Sequence, residues 1–118
     1  MLTEKSRAGQ FLLAEANGTL SRERIIIASG QGVLPVGQVL GRITTEGANQ
    51  GKYGKYSNAD STTGLGTAVA ILYDEVDATT ADAPGVGVFR HAEVKESELT
   101  GIDASGKLDL SPAHIIFR

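Results

Sequence analysis

Thr67-Ala68-Val69-Ala70-Ile71-Leu72-Tyr73 is the most hydrophobic continuous run of the chain away from its ends. Gly64-Leu65-Gly66 launches it and the acidic stretch Asp74-Glu75-Val76-Asp77 closes it. β-branched and aromatic residues sit among its alanines, and the run is bounded by turn formers, which predicts a buried strand. A strand of this kind must be covered by the rest of the chain, so the remaining segments are expected to pack around it as one core. Neither the run nor its flanks hold a set of residues that chemistry would require. The residues alone therefore describe a compact, β-rich, non-catalytic module.

At 118 residues the chain has the size of one domain. It is 41% hydrophobic and 21% charged, which suits a folded protein and not a disordered one. Fifteen glycines against 5% aromatics predict many turns between short strands and a thin, aliphatic core. The formal net charge of -3 argues against direct nucleic-acid binding, which needs basic surface to release counterions from phosphates. Cysteine is absent, so neither disulfides nor thiolate metal sites can form. The first residues lack the apolar core of an export signal, and no run approaches the length that spans a bilayer, so no membrane partner is expected.

Residues 1–24 are polar apart from Phe11-Leu12-Leu13 and carry the turn signal Asn17-Gly18. They read as a flexible N-terminal arm, extended or ordering on contact, with residues 25–118 as the β-rich domain. The apolar triplet is a liability unless something covers it. Ile25-Ile26-Ile27-Ala28 predicts a strand ending at Ser29-Gly30-Gln31-Gly32. Pro35 cannot donate to a ladder, which leaves the next strand to residues 38–43, where Gly37 and Gly41 suggest bends or close backbone approach. Thr44 to Thr63 is surface, with a short strand over Lys52-Tyr53-Gly54-Lys55-Tyr56 whose tyrosines share one side if Gly54 bulges. Asp74 to Pro84 reads as a loop, Val86 to Val94 as a strand bent at His91, and Glu96 to Gly106 as polar chain without helical period. Ser111-Pro112 is compatible with a single helical turn, and Ile115-Ile116-Phe117-Arg118 is expected to pair as a final strand.

Candidate chemistry fails on motif grounds. Gly47 to Tyr53 is one residue short of a phosphate loop and has Tyr53 where a Ser or Thr hydroxyl is needed. Gly64-Leu65-Gly66 and Gly85-Val86-Gly87 lack the third glycine of a dinucleotide fingerprint and precede strands. His91 and His114 have Glu93 and Asp109 as candidate partners, but spacing alone shows no convergence of metal ligands. Asp74, Glu75 and Asp77 lack the calcium-loop pattern and read as solvated or intersubunit charges. No nucleophile elbow occurs. The lysines and tyrosines of residues 52–56 resemble a single-strand stacking patch in composition only. No catalytic residue, cofactor or metal is expected.

Several stretches, in order, resemble the family of the phage lambda head decoration protein (protein D) and its relatives in tailed phages and prophages. They are Phe11-Leu12-Leu13-Ala14-Glu15-Ala16-Asn17-Gly18-Thr19-Leu20-Ser21-Arg22-Glu23, Gly37-Gln38-Val39-Leu40-Gly41-Arg42-Ile43, Gly51-Lys52-Tyr53, Ala68-Val69-Ala70-Ile71-Leu72, Val76-Asp77-Ala78-Thr79, Arg90-His91-Ala92-Glu93-Val94 and Ile115-Ile116-Phe117-Arg118. The resemblance implies a mainly β, β-clip-like single domain with little helix and a mobile N-terminal arm. It implies a homotrimer that decorates threefold positions of an expanded head, binds the major capsid protein and resists the pressure of packaged DNA. The virion surface is then the location, with assembly in the host cytoplasm. Phe11, Leu12, Leu13, Asn17, Gly18, Ser21 and Arg22 become the expected capsid-binding residues of the arm. Relatives often carry a longer C-terminal helical segment, whereas here Lys95 to Ala113 is short and contains Gly101 and Gly106. A small β-module binding carbohydrate or another small ligand is the alternative, and it requires a concave pocket with convergent polar groups.

Overall fold

The structure is a computed structural model and describes residues 8–15 and 21–118. Its centre is the predicted hydrophobic run, which forms strand β6 (Ala68–Leu72). The other strands are β1 (Leu12–Glu15), β2 (Arg22–Ile27), β3 (Gly32–Leu34), β4 (Val39–Arg42), β5 (Tyr53–Lys55), β7 (Val76–Ala78), β8 (Ala83–Val88), β9 (Ala92–Val94) and β10 (Ile115–Phe117). An α-helix, α1 (Ala104–Leu110), lies between short 3-10 turns at Glu96–Glu98 and Ser111–Ala113. The mainly β architecture with little helix agrees with the sequence.

Strands β2, β5, β4, β6 and β8 close into a small barrel. Beside it stand a three-stranded sheet in the order β1-β9-β10 and a two-stranded ribbon of β3 and β7. β6 feeds two hydrophobic clusters. Ala70 and Leu72 join Ile25, Ile27, Leu34, Leu40, Val76 and Ala78, while Ala68 and Ile71 join Val39, Val88 and residues of the three-stranded sheet. A strand buried on both faces has no solvent side to fill with polar residues, which is why its sequence is continuous rather than alternating. A register shift where β4 meets β6, between Leu40 opposite Ala70 and Gly41 opposite Ala68, lets neighbouring residues serve opposite cores.

Gly41 lies where backbone meets backbone. A Cβ there would come within 2.7 Å of the Leu65 Cα. Gly37 combines a φ of 86° with an equally close approach to the Glu98 carbonyl oxygen. Both serve packing and turning, as expected from the sequence.

The structure differs from the sequence reading at several points besides the N-terminal segment. Asp74 to Pro84 is not a plain loop, because Val76–Ala78 pairs antiparallel with β3 and buries Val76 and Ala78. The stretch from Val86 to Val94 is two strands in two different sheets, since His91 takes a left-handed φ of 55° and turns the chain out of the barrel. Tyr53 and Tyr56 do not share a side: Tyr56 belongs to the cluster of Ile71 and Val88, and Tyr53 packs on the other. The stretch read as polar chain ends in α1, capped by Asp103, whose carboxylate accepts the Gly106 N–H at 2.7 Å. The closing strand is present and runs parallel to β9. No helix among the described residues is long and apolar enough to cross a membrane.

Candidate functional site

Three features are candidates for function: the N-terminal segment, the histidine pair, and a groove in the barrel seam.

Part of the segment expected as an arm belongs to the folded body. Phe11 is 0% exposed and packs among Val94, Leu110 and Ile115. The Lys95 N–H donates to its carbonyl at 2.7 Å, and β1 pairs antiparallel with β9. The Gly9 N–H donates to the Tyr73 carbonyl at 2.7 Å, and the Gly9 Cα faces the Tyr73 ring so closely that a Cβ would meet it at 2.6 Å. The Arg22 guanidinium lies over the same ring, 3.9 Å from its centroid. Ser21 is 0% exposed, with its hydroxyl donating to the His91 carbonyl at 3.4 Å. Among the expected capsid-binding residues, Phe11, Ser21 and Arg22 are thus engaged inside the molecule and Leu12 is half-buried. Leu13 is 54% exposed at the sheet edge. Asn17 and Gly18, like the rest of residues 1–7 and 16–20, lie outside the described residues. The apolar triplet signalled a cover, and for Phe11 that cover is the protein's own core.

His91 and His114 form a pair that their separation in sequence conceals. Both adopt left-handed backbone, and their rings stack with centroids 5.2 Å apart at 8°. Their nearest candidate partners serve the fold instead. The Asp109 carboxylate accepts the Ala68 N–H at 3.0 Å and so ties α1 to β6, while Glu93 accepts from Arg118 Nε at 2.8 Å. No cluster of three metal-ligating side chains occurs among the described residues. At the exit of β6, Asp77 accepts from the Thr79 hydroxyl and N–H, which hold its carboxyl below the usual carboxylate range.

The groove opens where β2 and β5 part. These strands share a single register pair, Ile27 with Tyr53, whereas β2 and β8 pair over six residues. On the N-terminal side of Ile27 the gap widens into an open groove of about 730 Å³, whose apolar lining includes Ile25, Ile26, Tyr53, Pro84 and Val86. Lys52 at its rim is paired with Asp82 at 2.6 Å. The Tyr53 ring meets Phe89 edge-on, with centroids 5.7 Å apart, and Tyr56 is buried, so the two tyrosines do not form a paired stacking platform for bases. The groove's walls are largely apolar, and at its rim Lys52 is paired with Asp82, Glu23 with Arg90, and Arg24 is exposed, which makes it a contact surface with one charged corner.

What this arrangement defines is a small β-barrel structural module whose polar side chains mostly hold its own fold. Residues 1–111 match the model of the Bacteriophage lambda head decoration protein D family, and the chain belongs to that family. The family is one of structural phage proteins, not enzymes, and marks the chain as a capsid component of the virion. Comparisons with curated proteins and with solved structures gave no match.

Proposed function

We propose that the protein is a homotrimeric cement that docks on threefold positions of the expanded phage head and stabilises it against the pressure of packaged DNA. The family match over residues 1–111 carries this reading. The major capsid protein is the partner, and assembly takes place in the host cytoplasm. Contact with the shell falls to residues 1–7, 17 and 18 together with Leu13. Leu13 supports the assignment because it projects from β1, an edge strand of its sheet, where an extended shell segment finds unpaired backbone groups. Pairing along the β1 edge would confine tight binding to a lattice that presents a matching extended segment.

Removal of residues 1–7 tests the reading without touching β1. The shortened protein should keep its thermal unfolding midpoint and lose affinity for expanded shells by at least about tenfold, ~1.4 kcal/mol. Undiminished binding would refute the role of this segment. A deletion reaching residue 20 is unsuitable, because it also removes Phe11 from the core.

A further inference from the structure

The barrel seam and the β3–β7 ribbon carry complementary surfaces. On β2 every second residue faces the same way, so Arg24 and Ile26 share the outward face while Ile25 and Ile27 are buried. Ile26 is 43% exposed beside the apolar groove. Its neighbours at the rim are occupied: Glu23 pairs with Arg90, and Lys52 with Asp82. Arg24 is exposed, and among the described residues no carboxylate pairs with it.

The ribbon shows the opposite charge in the same format. Val33 stands directly across from Asp77 in the β3–β7 register, and both are exposed, Val33 at 53%. The inner face of the ribbon is spent on the core through Leu34, Val76 and Ala78. Its outer face therefore offers an aliphatic side chain beside a carboxylate that the Thr79 hydrogen bonds keep ionised. Cross-strand neighbours and alternate residues on one strand are both several ångströms apart, so the two pairs can meet in register.

We propose that in the assembled protein the outer face of the β3–β7 ribbon of one copy docks in the barrel-seam groove of the next, Val33 against Ile26 and Asp77 against Arg24. This deepens the homotrimer reading and rests on it. Two different patches of one surface meet in such a contact, so the interface is heterologous. Repeated around a threefold axis it closes into a ring, in which every ribbon and every groove is used. The aliphatic contact removes apolar surface from water, and the charge pair sets the register and rejects reversed pairings.

Charge exchange is the test. Arg24→Glu, Asp77→Arg and the double variant are compared with the unaltered protein by sedimentation velocity over a range of concentrations, with circular dichroism reporting the fold. The unaltered protein should sediment as three times the 12.3 kDa chain. Each single reversal should raise the concentration for half-assembly at least tenfold, and the double variant should restore it. Because Asp77 also serves the Thr79 turn, Ile26→Asp, at an exposed position, provides an independent disruption with the same expected loss. Single variants that assemble normally, or a double variant no better than either single, would overturn the proposal while leaving the trimer itself standing. Single variants that stay trimeric but fail to bind shells would assign the groove to the capsid and overturn it as well. An unaltered protein that is monomeric in solution and on shells would overturn the trimer reading together with it.

Discussion

Phe11 is the residue at which the local pattern and the three-dimensional structure diverge most. In sequence it opens an apolar triplet in a polar stretch, and in the structure it fills the space between the barrel and the three-stranded sheet. Phe11→Ala should destabilise the protein by about 3–5 kcal/mol, the usual cost of emptying an aromatic site in a core. The exposed Leu13→Ala should change stability by no more than about 0.5 kcal/mol. Urea unfolding of the two variants checks the contrast, and similar losses in both would mean that Phe11 is not a core residue. That the triplet needed a cover was legible in its composition. The identity of the cover was not, because the partners Tyr73, Val94 and Ile115 lie far along the chain. His91 was hidden for a related reason: left-handed backbone is usually announced by glycine, and a histidine held there by its ladder to Ala113 gives no local sign.

At the level of elements, legibility follows the number of buried faces. β6 was plain because both its faces are covered, and β2 because three consecutive isoleucines have few other uses. β7 escaped because three residues with one outward Asp look like the acidic loop that surrounds them. α1 escaped because it is seven residues long with Gly106 inside it, and tertiary contacts hold it. Chief among these is the Tyr56 hydroxyl, which donates to Asp103 at 2.8 Å on the carboxylate that caps the helix. Burial first, and the Asp103 bond second, push the Tyr56 hydroxyl up to about 12, while the Gly106 N–H and then Tyr56 hold the Asp103 carboxyl below its usual range. At pH 7 Tyr56→Phe should lower stability by about 1–2 kcal/mol. A raised folded-state pKa means that the Tyr56 contribution is complete below pH 10 and disappears as pH rises toward 12. The deficit of Tyr56→Phe should therefore shrink over that interval. Stability curves for both proteins at pH 7, 10 and 12 decide it, and a deficit that stays constant would show that the hydroxyl does not titrate with folding.

For the whole molecule, the barrel and the adjoining sheet share one of the two hydrophobic clusters and leave two outward surfaces, the seam with its ribbon and the β1 edge with Leu13. Neither was readable as a site, since each is assembled from short strands distant in sequence. The capsid role came instead from the order of many weak resemblances, and the family match over residues 1–111 bears it out. Glycine-rich runs that resembled phosphate loops proved to be turns and close backbone contacts, as at Gly66, where a Cβ would overlap the Asp60 carbonyl oxygen. Co-sedimentation of the full chain with expanded and with unexpanded shells of the phage head measures the cementing role directly. Saturable binding to expanded shells alone, together with greater resistance of those shells to disruption, is the predicted result. Equal binding to both forms, or none to either, would contradict it.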